Sequence, residues 1–425
     1  MDEQIYFIND QAEKDLEVQI IFKPIASNGI DLTDYKSRFH NEILDDVLSG
    51  QHKYDISANM ACYTASPAIR NYAANLLDTE RFPYFNFEPG TTPDGGWYSS
   101  LIEDTAINGK LYYLSGIMNT SLIDATPVVW YNHTLYRKLR EESDPESLQE
   151  TVLAGDWTYD ELYKWTSASH DDFDGLGLIV NKNNTAPLGS VPYACDIDFV
   201  VKNPGGGHSF YIKENERITQ AFEKLNAILD CDNTSTDATV TSFAEGRALF
   251  YMDVIFRNCE ENSLIREMEY SYGLLPLPKY DKSQTHYFST PDDFYTLMLV
   301  PDHKFGDNAT DGALVSAFLQ HRNYNAVSTA QIAGYHFNQT IKPRYFGVYE
   351  YPTCSSLSLT IQIWDEHILP GIRLDFASVY SPQLNYLSYL WTEAIERREY
   401  PAQVFEDYKN IFDIALKDTD EWLNS

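Results

Sequence analysis

The chain has 425 residues, more than one ordinary hydrophobic core accommodates, so about two or three packed units are expected. At 43% hydrophobic and 22% charged residues, the composition is that of a folded chain and not a disordered one. A total of 31 Lys and Arg against 63 Asp and Glu gives a formal net charge of −32, which disfavours nucleic acid, bound by Lys and Arg displacing counterions, and a basic seat on anionic lipid.

In chain order, DEQIYFINDQAEKDL reads as a helix running into the strand EVQIIF. A second helix near DYKSRFHNEILDDVLSG precedes the strand YDISANM. NGKLYYLSG is a turn followed by a strand, Asn108-Gly109 suiting a tight turn, and PVVWYNHTLYRKLREE is a strand feeding a helix. DWTYDELYKWTSAS opens a helix, with Asp156 or Thr158 as cap and Asp160 and Glu161 in the positive first turn. ITQAFEKLNAILD and YKNIFDIALKDTDEWL are later helices, FAEGRALF brings a helix to a Gly stop and then a strand, and PLPK is extended. Strands separated by helices predict α/β architecture with mostly parallel sheets in two lobes.

Chemistry-bearing signatures are scarce. There is no GxSxG, HExxH or GxxxxGK[ST], and the Gly-rich run NPGGGHSF reads as a surface turn. HDDFDGLG, from His170 to Gly177, has the start of a calcium loop but runs straight into the apolar LGLIV, so it reads as a solvated turn. Five cysteines, Cys62, Cys195, Cys231, Cys259 and Cys354, form no CxxC pair and no metal spacing. No catalytic, metal or cofactor site is assigned. No run of about 18 apolar residues spans a membrane, and MDEQIYFIND is acidic where a leader peptide is basic and apolar.

INGKLYYLSG, VVWYN, DWTYDELY, FAEGRALF and YGLLPLPKYD stand in an order that resembles the extracellular solute-binding proteins of family 1, the sugar-type binding components of bacterial ABC importers. The resemblance spans roughly residues 1–425. It implies a two-lobed, type II periplasmic-binding-protein-like α/β fold, with residues 1–116 and 291–342 in one lobe and 117–290 and 343–425 in the other. It also implies capture of a mono- or oligosaccharide by hinge closure without catalysis, delivery to permease subunits, and a monomeric protein. The setting implied is extracellular, anchored to the surface of a Gram-positive-type cell or periplasmic, with membrane attachment only through an N-terminal lipid anchor. Family members start with a strand and a lipoprotein signal ahead of a helix like DEQIYFINDQAEKDL, whereas this chain starts at that helix, so the first strand and the anchoring signal are expected to be missing from it, either trimmed away or lost in a degenerate copy. Two other readings stay open: a glycoside-active enzyme with two cleft carboxylates, and a surface carbohydrate-binding or sensing protein with no transporter.

A sugar pocket mixes aromatic faces with planar polar groups. Where family strands end at the cleft, the candidates are Asn59, Met60 and Tyr63 after YDIS, and Trp97 in the loop after PDGG. Asn119 and Asp124 lie past the first crossing between lobes. Tyr193 is the expected stacking residue, with Asp196 or Asp198 as hydroxyl acceptors, and Asp253 lies beyond the strand of YMDV. Asp292 and Asp293 sit at the second crossing, and Trp364 and Tyr380 complete the set. Trp130, Trp157 and Trp165 are expected in cores.

Overall fold

The structure, a computed structural model, describes residues 2–25, 32–64, 66, 71–87, 97, 99–116, 119–168, 175–182, 185–204, 207–212, 216–255, 264–303, 310–328, 357–374, 380–381, 384 and 386–424. The possible ion loop at 170–174 lies outside them, as do Cys259 and Cys354.

Two separate sheets organise the chain. In the first, β1 (Ser57–Met60) pairs antiparallel with β9 (Thr296–Leu299), Ser57 opposite Leu299. The stretch after the Asn108-Gly109 turn joins this sheet through Leu114, which exchanges backbone hydrogen bonds of 2.8 and 2.9 Å with Met298. Both turn residues are left-handed, with φ of 50° and 72°, and Ile107 and Lys110 close the turn with two 2.9 Å bonds, as the Asn-Gly pair predicts. The helix Ser99–Thr105 runs directly into this unit.

The second sheet has five strands in the order β6-β3-β7-β2-β8. These are β2 (Pro127–Asn132), β3 (Leu176–Val180), β6 (Thr234–Ser235), β7 (Ala248–Val254) and β8 (Tyr272–Leu275). Every residue of PVVWYN is buried, as suits a central strand covered on both faces. Helices Tyr159–Ser167, Glu216–Leu229 and Thr185–Gly189 pack on it, with Tyr386–Arg397 lying over the last of these, and Trp130, Trp157 and Trp165 are buried as expected. Thr158 caps its helix, accepting from the Glu161 amide at 3.3 Å. At FAEGRALF the helix Val240–Ala244 stops at Gly246, φ 77°, before β7. NPGGGHSF links the hairpin of β4 (Val200–Lys202) and β5 (His208–Phe210).

Two expectations fail. The large sheet is mixed: β3 runs parallel to β6 and β7, but β2 is antiparallel to β7 and β8. A helix between strands forces parallel pairing only when it crosses over the same sheet; β2 instead enters from the first lobe. EVQIIF is not a strand among the described residues. The Val18 amide bonds back to the Glu13 carbonyl at 3.1 Å and the Ile20 amide to the Glu13 carboxylate at 2.7 Å, which replaces ladder bonding. Ile21 and Phe22 are 66% and 75% exposed.

The lobes are joined by crossings that lie side by side. Asn119 donates to the Thr296 carbonyl and to Ser115 Oγ, while Ser121 Oγ donates to Asn119 Oδ1 at 2.6 Å. Across from them Asp292 N donates to the Ala125 carbonyl at 2.9 Å and Ser289 Oγ to the Pro127 carbonyl at 3.0 Å. The packing of β8 against β2 gives a direct check. A Cβ on Gly273 would lie 2.1 Å from the ring of Tyr131, itself wholly buried. Gly273→Ala is expected to destabilise the protein by about 1–3 kcal/mol through overpacking, measured as a lower denaturant midpoint with unchanged slope.

Candidate binding cleft between the lobes

Helix Ser99–Thr105 of the first lobe faces β4 and the segment around Arg373 of the second, and a cavity of about 210 Å³ lies between them. Its lining is Glu103 and Asp104 on one side and Tyr193, Asp198, Val200, Val201, Lys202, His208, Arg373 and Leu374 on the other. Arg373 is the centre of the site. Its backbone is fixed to the second lobe, its amide donating to the Ser289 carbonyl at 2.9 Å, and its guanidinium lies 5.2 Å from the ring centre of Phe288. From there it meets Asp198 at 3.2 Å, Asp104 at 3.4 Å and Asp196 at 3.5 Å.

Burial opposes the charge of Arg373, but Asp198 and Asp104 more than offset it, so the guanidinium is held above the ordinary arginine range. Asp104 does less well. Burial pushes its carboxyl up to about 6 against the pull of Arg373, with the charges of Asp198 and Glu103 adding to the rise. Its Oδ2 is buried with no hydrogen-bond partner among the described residues. Lys202 donates to the carbonyls of Glu103 and Ala106, both at 3.0 Å. His208 is fixed by Asp420, which takes its backbone amide at 2.7 Å and lies 2.6 Å from its Nδ1.

A second polar group sits at the crossing itself. Asp292 is pushed up to about 7, chiefly by burial and then by the charge of Asp293, with Asp253 adding to it. Asp253 is almost fully buried at the end of β7, where Tyr251 donates its hydroxyl at 2.5 Å. The end of β1 lies against this group: the Cys62 amide donates to the Asp293 carbonyl at 3.2 Å. Asn59 accepts from the Met60 amide, and its Nδ2 is buried without a partner among the described residues. Met60 is 41% exposed and Tyr63 half-buried.

Of the residues expected at a site, Tyr193, Asp196 and Asp198 meet at Arg373 and its cavity, and Asn59, Met60, Tyr63, Asp253, Asp292 and Asp293 gather around the second crossing. Others do not face a cleft. Trp97 is buried against Phe85 and Phe87, 5.8 Å from each ring, with its Nε1 donating to Gln320 at 2.7 Å. Helix Gly312–Ser328, far away in sequence, supplies that cover. Trp364 is buried in a π-helical turn of the second core. Tyr380 is fully buried, its hydroxyl donating to the Thr105 carbonyl at 2.5 Å and its ring 5.5 Å from that of Tyr113. Asn119 spends its amide on the crossing, and Asp124 is half-buried at the end of the short helix after it. Tyr193 lines the cavity, but its ring packs edge-on against Phe199, so it offers no open stacking face. Arg373, Asp104, Lys202 and His208 were not anticipated. Arg373 carried the one usable signal, a cation inside the apolar run HILPGIRLDF.

The arrangement can seat a small polar molecule between two faces, each offering acceptors and donors. Among the described residues, no group of three or more His, Cys, Asp or Glu side chains is placed to hold a metal ion. No family model matches the chain, and no curated protein matches it in sequence. Solved structures do. MalE, the sugar-binding protein of Xanthomonas citri, superposes with a TM-score of 0.60 at 12% identity, over 100% of this chain and 94% of its own. UgpB from Mycobacterium tuberculosis, in complex with glycerophosphocholine, gives 0.56 at 14% identity over 98% and 95%. The galacto-N-biose-/lacto-N-biose I-binding protein of the ABC transporter from Bifidobacterium longum, in complex with lacto-N-biose, gives 0.57 at 12% identity over 97% and 93%. The chain has the two-lobed, periplasmic-binding-protein-like fold. At these identities the likeness establishes architecture; the ligand must be argued from the cleft.

The buried carboxyl at the crossing has a pH signature. A carboxyl raised in the folded state binds more protons there than in the unfolded chain, so its cost is absent below the unfolded value near 4, grows with pH, and is complete above about 7. Asp292→Asn mimics the protonated form. The variant is expected to melt higher than wild type at pH 8, with the difference closing towards pH 4, as read by thermal denaturation across that range.

Proposed function

We propose that the protein is the substrate-binding component of an ABC importer and captures a carbohydrate between its lobes by hinge closure, without catalysis. The observation that carries this reading is the cavity between the lobes, polar on both faces, in a fold whose solved relatives include proteins described as sugar-binding. Residues 1–116 with 291–342, and 117–290 with 343–425, act as the two closing bodies. The cavity is smaller than the roughly 300–1,000 Å³ of sites for drug-sized ligands. In the closed arrangement it therefore suits about one sugar ring, and longer saccharides bind as the lobes part.

Hydroxyl groups of the ligand meet the carboxylates of Asp104 and Asp198 and the imidazole of His208, which line the cavity. Four carboxylates, Glu103, Asp104, Asp196 and Asp198, face two cations, Arg373 and Lys202, which favours neutral or amine-bearing saccharides over sugar phosphates. The working setting is outside the cell, anchored to its surface or in a periplasm, with a lipid anchor as the membrane attachment, permease subunits as partners and a monomer as the receptor. A ligand closes the cleft only by its differential affinity for the closed state.

Calorimetric titration with mono- and oligosaccharides, sugar phosphates, amino acids and peptides tests the reading. One neutral or amine-bearing saccharide class is expected to bind, with no hydrolysis product after prolonged incubation, and Asp198→Ala is expected to weaken it roughly tenfold or more, as for a lost hydrogen bond to a charged group. Binding only by peptides or amino acids, or the release of shorter sugars, would contradict it.

A further inference from the structure

The last turn of helix Ser99–Thr105 is gripped by two cationic side chains of the second lobe. Lys202 donates to the carbonyls of Glu103 and Ala106. Arg373 reaches the side chain of Asp104. The helix belongs to the first lobe through the turn at Ile107–Lys110 and the Leu114–Met298 pairing. Both cations belong to the second. Arg373 is bonded to Ser289, whose hydroxyl donates to the Pro127 carbonyl at the start of β2, and Lys202 lies in the β4–β5 hairpin, which packs on helix Pro401–Asn424. Every one of these contacts spans the cleft.

We propose that Arg373 and Lys202 form an electrostatic latch that holds helix Ser99–Thr105 against the second lobe, so that the protein's own charges set how far the cleft stands open before ligand arrives. On opening, Arg373 keeps Asp196 and Asp198, which share its lobe, and loses only Asp104. Lys202 exchanges two carbonyls for water. The latch is therefore asymmetric: its breakable half is one carboxylate and two carbonyl contacts, few enough for the lobes to part and for salt to weaken the charged part. A ligand that engages Asp104 adds to closure.

The latch is tested on the full chain without ligand, so its failure is separate from any failure of the saccharide reading. Small-angle scattering would compare wild type, Asp104→Asn and Lys202→Met at ionic strengths of about 0.02 M and about 0.5 M, where the screening length falls several-fold. Wild type is expected to be compact in low salt and to expand in high salt. Each variant is expected to be expanded already in low salt, with a smaller response to salt and an unchanged circular dichroism spectrum. Equal radii of gyration for all three proteins at both salt concentrations would overturn the proposal. Should a variant lose its folded spectrum, the wild-type salt series decides alone, and a radius independent of salt counts against the latch.

Discussion

The side chain of Arg373 is 19% exposed, and a charge so far withdrawn from water is tolerated only when its lost hydration is replaced by partners of opposite sign. Three carboxylates do this, two from the lobe that carries the arginine and one from the lobe opposite. That division ties the electrostatics of the molecule to its large-scale geometry. The chain is organised around two sheets, and the contact between Arg373 and Asp104 is made only when the lobes are close enough for the two to meet. Replacing the arginine with an apolar residue would remove the charge but leave Asp104, Asp196 and Asp198 facing one another with no cation between them.

The carboxyl groups of the cleft and the crossing work in the opposite sense. Asp104 and Asp292 are both raised, and burial is the leading cause for each. Above their folded values they reduce stability, so nothing in the packing of the two cores calls for them. Groups that cost stability and cluster where two bodies meet are those expected to contact something other than the protein itself. Asp292 and Asp293 stand where the chain passes between lobes, with Asp253 close enough to raise Asp292, and the Nδ2 of Asn59 is buried without a partner among the described residues. The same place therefore carries both the bending of the chain and its least comfortable charges.

Much of the architecture was legible because it rests on local rules. The Asn108-Gly109 turn, the Thr158 cap, the Gly246 stop and the buried run PVVWYN each follow from the residues concerned. The mixed direction of the large sheet was not, since strand direction depends on which lobe the preceding segment comes from. Nor was the fate of EVQIIF, where one glutamate recruits the amides of residues 18 and 20 that a ladder would use. For the site, position after strand ends singled out Asp196 and Asp198, which lie beside Arg373, whereas Trp97, Trp364 and Tyr380 are buried and face no cleft. A large aromatic in a loop reads as exposed, and its cover comes from segments distant in sequence, as Gln320 covers Trp97. Arg373 was missed for the same reason: its three partners lie 175 or more residues away.

Capture between the lobes requires a ligand held by both at once. Hydrogen exchange followed by mass spectrometry, with and without a saccharide that binds, tests this directly. Slower exchange is predicted together in the segment 99–110 of the first lobe and in the segments 193–202 and 371–374 of the second. Protection confined to one lobe, with the other unchanged at saturating ligand, would contradict capture between them and place the binding surface elsewhere on the molecule.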